Sequence, residues 1–258
     1  MSLGQDKYTE KTILASLEVF AIKIKRKIIE LLYPRRCPIC DKIVPYNEGL
    51  ACRKCYKELV FIENPTCKKC GKQISVEESE YCYDCCRYNY SYNSGKALLQ
   101  YNEIMKKSLS RYKYGGRQEY SIWYTDELLK RYQNYINMIK PDVLIPVPIY
   151  KGRYKKRGFN QAELISRGIS KATGIKTYVK ILERIHNTVP QSSLASKERK
   201  RNLEQVFMVK KSIKGIKSVL LIDDIYTTGS TIEACSRVLK NAGVLNVYYM
   251  SVCIGVGE

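Results

Sequence analysis

The sequence predicts an α/β protein, a doubly wound and mostly parallel sheet preceded by an N-terminal double zinc ribbon. Three observations lead to that expectation. Four CxxC pairs recur at a constant interval before residue 90, uncharged branched runs alternate with helix-period segments after it, and one run ends in the string VLLIDDIYTTGST at 219–231. A chain of 258 residues can bury one good core and carry a smaller module besides. The expected division is an amphipathic N-terminal helix over 1–34, the double ribbon over 35–90 and the α/β domain over 91–258.

Leu14, Leu17, Ala21, Ile24, Ile28 and Leu31 follow a three-four spacing, with Lys23, Lys25, Arg26 and Lys27 on other faces, which is the pattern of an amphipathic helix. Docking on its own protein is its ordinary use, with binding to a membrane surface or a partner as the alternative. The pairs Cys37/Cys40, Cys52/Cys55, Cys67/Cys70 and Cys82/Cys85 each start fifteen residues after the last. A CxxC turn puts two thiolates on one side of a tight loop, so two turns complete a closed tetrahedral zinc site, structural and not catalytic. Sequential pairing fits CPIC and CKKCGK as leading knuckles; a crossed pairing of first with third stays open, as does Cys86 replacing Cys85. Redox motifs do not come in fours at constant spacing. Cys235 and Cys253 read as small core hydrophobes.

In the second unit, 118–139 is predicted mostly helical, DVLIPVP from 142 is a buried strand, and NQAELISRGISKATG is a helix closed by glycine. KSVLLI and NVYYMSVCI add buried strands, and alternation of this kind builds a parallel sheet with helices on both faces. Between the 142 strand and its helix lies the loop PIYKGRYKKRGFNQ, with Lys151, Arg153, Lys155, Lys156 and Arg157 around Gly152 and Gly158. Ligands in such sheets bind beyond the strands' carboxyl ends, so this basic loop is expected to receive an anion. The polar segment HNTVPQSSLASKERKRNLEQVF, with Arg199, Lys200 and Arg201, is expected to form a lid. It begins with His186, the sole histidine, which has no visible partner for base catalysis.

Val219 to Ile222 read as a strand buried on both faces. After it, Thr227, Thr228, Gly229, Ser230 and Thr231 offer hydroxyls and backbone N–H groups without bulk where a helix begins, and a phosphate satisfies such donors. Ser230 and Glu233 have capping-box spacing, and Gly243 ends the helix. Asp223 and Asp224 would repel a bare phosphate, so they call for hydroxyls or a cation. A ribose 5-phosphate carrying a diphosphate meets both demands: phosphate in the turn, diol on the aspartates, magnesium across sugar and diphosphate.

Forty-five Lys and Arg against twenty-five Asp and Glu leave a formal charge of +20. That exceeds what a small phosphorylated ligand needs and favours polyanions, although a lysine-rich proteome would also produce it. No run approaches the roughly 18 apolar residues of a membrane span and no signal peptide is visible, so a cytoplasmic protein with reduced cysteines is expected.

The string at 219–231 resembles the signature of type I phosphoribosyltransferases. Taken in order, LLYPRRCPIC, the paired cysteines, KYGG at 113, PVP with RGFNQ at 146–161, the segment from Gln191 to Asn202 and VLLIDDIYTTGST resemble the ComF family of competence proteins. The resemblance covers nearly the whole chain from about residue 30. It implies a cytoplasmic protein serving DNA uptake in natural transformation, binding phosphoribosyl diphosphate and incoming single-stranded DNA alongside a competence helicase or recombination mediator. By position, it assigns Asp223 and Asp224 to the ribose hydroxyls, and Thr227, Thr228, Gly229, Ser230 and Thr231 to the 5-phosphate. The loop from Pro148 to Arg157 is assigned to the diphosphate, with Pro148, Arg153 and Arg157 at the ligand, Thr188, Gln191, Leu194, Arg199 and Asn202 in the flexible segment, and Arg199 also placed at the ligand.

Three functions compete at this level. A binding protein would use the sugar-diphosphate site as sensor or scaffold and the ribbons, basic loops and Tyr81, Tyr83, Tyr88, Tyr90 and Tyr92 for single-stranded DNA. An active phosphoribosyltransferase would transfer the sugar to a nucleobase or another acceptor, with catalytic residues unknown. A zinc-ribbon adaptor would carry a retired enzyme.

Overall fold

The computed structural model describes residues 32–45, 48–75, 79–185 and 206–255. The expected N-terminal helix from Leu14 to Leu31, and the expected lid with His186, Thr188, Gln191, Leu194, Arg199 and Asn202, lie outside those residues.

A four-stranded sheet forms the centre, with spatial order β1-β6-β5-β2 and every pairing parallel. Its strands are β1 (Ser94–Gln100), β2 (Val143–Pro146), β5 (Ser218–Tyr226) and β6 (Asn246–Ile254). Successive side chains of a strand point to opposite faces, and β5 is apolar on both. Leu220 and Ile222 join one core with α3 (Glu103–Tyr114), α4 (Tyr120–Ile139) and α6 (Gln161–Thr173). Val219 and Leu221 join the opposite core with α7 (Ser230–Asn241). Helices therefore cover both faces, the doubly wound arrangement that the uncharged strand runs require.

Cys235 and Cys253 are fully buried members of these cores. Asp142 sits beside the start of β5 and accepts the backbone N–H groups of Lys217 and Ser218 at 2.8 Å, so the central strand begins with its donors satisfied.

Several elements differ from the sequence reading. β1 and α3 were not anticipated, although Asn102 caps α3 by accepting the Met105 N–H at 3.0 Å. β3 (Leu182–Arg184) and β4 (Phe207–Val209) form a separate antiparallel pair of three residues each, too short to show a period. The basic loop is largely a helix, α5 (Lys151–Arg157), ended by Gly158 in the left-handed region at φ 80°. The capping box is absent: Gly229 is the N-cap of α7, and the Glu233 carboxylate instead accepts the Ser91 N–H and hydroxyl at 2.6 and 2.9 Å.

The two ribbons repeat one plan. In the first knuckle the Cys37 N–H donates to Lys42 O and Asp41 turns at φ 63°; in the second the Cys67 N–H donates to Lys72 O and Gly71 turns at φ 68°. Cys52 then caps α1 (Arg53–Lys57) and Cys82 caps α2 (Tyr83–Arg87). The first ribbon docks on α3 and α4. Arg111 donates to Ile39 O at 2.6 Å, Arg117 and Tyr120 reach the Asp41 carboxylate at 3.1 and 2.5 Å, and Tyr56 donates to Glu127 at 3.0 Å. Burial would raise the Asp41 pKa, but the bonds from Tyr120 and Arg117 outweigh it and hold it below the usual carboxylate value. The second ribbon lies against the sheet, where the Tyr249 hydroxyl donates to Cys70 O at 2.6 Å.

Candidate functional site

Cys37, Cys40, Cys52 and Cys55 form one cluster and Cys67, Cys70, Cys82 and Cys85 the other, each with its sulfurs within 4.8 Å of one another. Pairing is sequential, and Cys86 is exposed outside both sets. A tetrahedron of Zn–S bonds of about 2.3 Å has sulfurs about 3.8 Å apart. Cys40 and Cys52 stand at 3.8 Å and Cys70 and Cys82 at 3.6 Å, so the donor sets fit two structural zinc ions with no ligand position left open.

The acid pair lies at the carboxyl end of β5, between β6 and β2. Asp224 forms an ion pair with Lys113 at 2.6 Å, both side chains largely buried at 15% and 17% exposure. Lys113 comes from the end of α3, in the KYGG string, and was not assigned a role in the sequence reading. Burial favours its neutral form, but Asp224 and then Asp223 overcome that effect and hold its pKa above the ordinary lysine value. Asp223 moves the other way. Burial, followed by the neighbouring Asp224 charge, pushes its carboxyl up to about 8, against partial relief from the Asp224 N–H, Lys113 and Arg184. One acid thus holds a cation while the other keeps its proton near neutral pH.

The turn that follows is built around Gly229. Its φ of 76° is in the left-handed region, and a Cβ there would lie 2.3 Å from the Tyr226 hydroxyl, so backbone and space both demand glycine. The N-cap Gly229 offers no side-chain acceptor, and the Ser230 N–H makes only a long 3.5 Å contact to the Thr228 hydroxyl, so the start of α7 stays weakly satisfied beside the exposed Thr227 and Thr228. The Thr228 and Ser230 hydroxyls are 2.7 Å apart, and Thr231 follows in the first turn. These donors and hydroxyls make an anion cradle with a carboxylate pair at its edge.

A tyrosine chain ties this turn to the second ribbon. Tyr90 donates to Thr228 O at 3.2 Å and stacks on Tyr92, whose hydroxyl meets that of Tyr226 at 2.8 Å; Tyr226 in turn stacks on Tyr249 with centroids 4.9 Å apart. Tyr92 is wholly buried, which removes it from the set expected to stack on nucleic acid, and Tyr90 is half-buried. Tyr81, Tyr83 and Tyr88 are exposed at 45%, 67% and 42%.

Pro148 follows β2, and Arg153 and Arg157 occupy the half-buried face of α5. Arg157 lies near enough to Lys113, and Arg153 to Arg184, for their positive charges to oppose one another. The RGFNQ string is explained residue by residue. Arg157 donates to Gln161 Oε1 at 3.1 Å and to the Tyr114 hydroxyl at 2.8 Å, Phe159 meets Tyr112, and Asn160 caps α6 while donating to Val147 O at 3.0 Å. Arg157 Nε and Gln161 Nε2 are buried donors with no protein acceptor. Arg199, expected at the ligand, lies outside the described residues.

Residues 28–86 match the double zinc ribbon domain family. Competence protein ComFC of Streptococcus pneumoniae is 34% identical over 62% of this chain and 67% of its own length. Competence protein F of Haemophilus influenzae is 39% identical over 40% of this chain and 46% of its length, and the DNA utilization protein YhgH of Escherichia coli K12 is 30% identical over 44% and 49%. The chain thus spans about half the length of the last two. A purine phosphoribosyltransferase from Pyrococcus horikoshii superposes over 51% of this chain and 74% of its own, with TM-score 0.34 and 16% identity. Sequence identity of 34% over two thirds of the pneumococcal protein makes this chain a member of the ComF family of competence proteins.

Proposed function

We propose that this chain binds phosphoribosyl diphosphate with magnesium at the end of β5 and binds single-stranded DNA, in support of DNA uptake. The observation that carries the reading is the acid pair followed at once by the glycine-started helix. Asp223 and Asp224 are suited to the ribose hydroxyls, and the turn from Thr227 to Thr231 to the 5-phosphate. Pro148, Arg153 and Arg157, on the segment and helix that follow β2, are assigned the diphosphate. Magnesium between sugar and diphosphate is part of the proposal, because the charge of the diphosphate itself calls for a divalent cation. The names of the relatives, competence and DNA utilization proteins, and the formal charge of +20 support the DNA half.

Titration calorimetry with phosphoribosyl diphosphate and magnesium tests the first half. Binding to the unaltered protein and its loss in Asp223→Asn/Asp224→Asn is the expected result; no heat from the unaltered protein would refute it. Association with oligonucleotides that weakens steeply with salt tests the second half.

One observation favours transferase activity as the second reading: Asp223, pushed up to about 8, titrates where a general acid or base works. Diphosphate release that depends on an added nucleobase or nucleic acid would establish it.

A further inference from the structure

Helix α5 is expected, under the proposed function, to serve the sugar-diphosphate, yet only one of its faces is turned that way. At 3.6 residues per turn, Arg153 and Arg157 share one face, while Lys151, Tyr154, Lys155 and the following Gly158 share another. The arginine face is half-buried and the other is exposed. That outer face, with Ile149, lines an open cavity of about 550 Å³, within the range of small-ligand sites.

We propose that this cavity binds one nucleotide unit of a single-stranded nucleic acid, its base on the Tyr154 ring and its phosphate on Lys155 and Lys151. The inference rests on the DNA half of the proposed function. Tyr154 is 49% exposed, an aromatic face open to stacking. Gly158, in the left-handed region at φ 80°, forms part of the lining without a side chain. Among the described residues no carboxylate lines the cavity; Glu183 pairs with both Lys151 and Lys210 at 2.9 Å and so offsets only one of those two charges, while Lys155 has no ion-pair partner among the described residues. A ring between ammonium groups suits an anion with an aromatic base. A second exposed ring, Tyr114 at 63%, lies on the opposite face of α5, with the Arg157 guanidinium 4.7 Å from its centroid.

The test uses the full-length zinc-loaded protein, fluorescent oligothymidylate anisotropy at several salt concentrations, and parallel calorimetry with phosphoribosyl diphosphate. Tyr154→Ala is expected to weaken the oligonucleotide about tenfold and Tyr154→Phe to leave it unchanged. Lys155→Ala is expected to reduce the slope of log affinity against log salt by about 0.7. Sugar-diphosphate binding is expected to stay within twofold in all three. The inference is overturned if the unaltered protein binds the strand and Tyr154→Ala binds it equally. It is also overturned if thymidine monophosphate binds as tightly as the strand, or if Tyr154→Ala weakens the sugar-diphosphate to the same degree. Absence of strand binding by the unaltered protein would instead remove the DNA reading itself.

Discussion

Asp223→Asn is expected to make the protein more stable, and increasingly so as pH rises. The carboxyl is pushed up to about 8 in the folded protein, chiefly by burial and then by Asp224, whereas an unfolded aspartate titrates near 3.9. Between those values the folded state holds a proton that the unfolded chain has released. Stability therefore falls with rising pH, by up to about 1.4 kcal/mol per unit, from roughly pH 4 until the folded group ionises near 8. From pH 5 to pH 8 the cost reaches at most about 4 kcal/mol. Asparagine has no proton to lose and keeps an Oδ1 to accept the Asp224 N–H, a bond of 2.8 Å in the unaltered protein. The assay is thermal or urea unfolding of both zinc-loaded proteins across pH 5 to 8.5. The zinc thiolates respond to pH equally in both and cancel in the difference. A gap in favour of the variant that widens by several degrees in Tm toward pH 8 is expected, at about 2–4 °C per kcal/mol. Parallel pH profiles would refute the argument, because they would mean that Asp223 titrates alike folded and unfolded.

Lys113→Met leaves the Asp224 carboxylate without its partner and is expected to cost about 3 kcal/mol at neutral pH, with recovery in Lys113→Met/Asp224→Asn; a double-mutant cycle in urea measures both. Gly229→Ala forces a left-handed φ and a contact with Tyr226, and is expected to cost about 1–3 kcal/mol by calorimetric unfolding, less in a Tyr226→Phe background, where the clashing oxygen is gone. Metal analysis is expected to find about two zinc ions per chain, one in Cys67→Ser and both retained in Cys86→Ser, since Cys86 is outside both clusters. Through the tyrosines that join Thr228 to Cys70, bound phosphoribosyl diphosphate is expected to slow zinc release to a chelator from the second ribbon, and Tyr226→Phe/Tyr249→Phe to remove the effect.

Much of the fold was legible because each signal was local. Val219 to Ile222 are short, branched and uncharged and are followed by a turn, as a strand buried on both faces requires. β1 is not legible in the sequence because SGKALLQ places Gly95 and Lys96 among apolar residues, and only the fold shows why: a Cβ at Gly95 would collide with the Tyr249 ring. The basic segment from Lys151 to Arg157 reads as a loop from its glycines and charges, yet it forms a helix stopped by Gly158 and followed by the Asn160 cap. The capping box failed because Ser91, 142 residues away, takes the Glu233 carboxylate.

By itself the sequence determined the zinc chemistry, the parallel sheet and the position of the acid pair. Each of these depends on neighbours within one turn, one strand or one knuckle. The tertiary structure decided which cysteine pairs share a metal, that Lys113 is the partner of Asp224, and that Tyr92 is a buried link instead of a stacking surface. Those outcomes depend on desolvation and charge between segments far apart in the chain, and no local spacing encodes that distance.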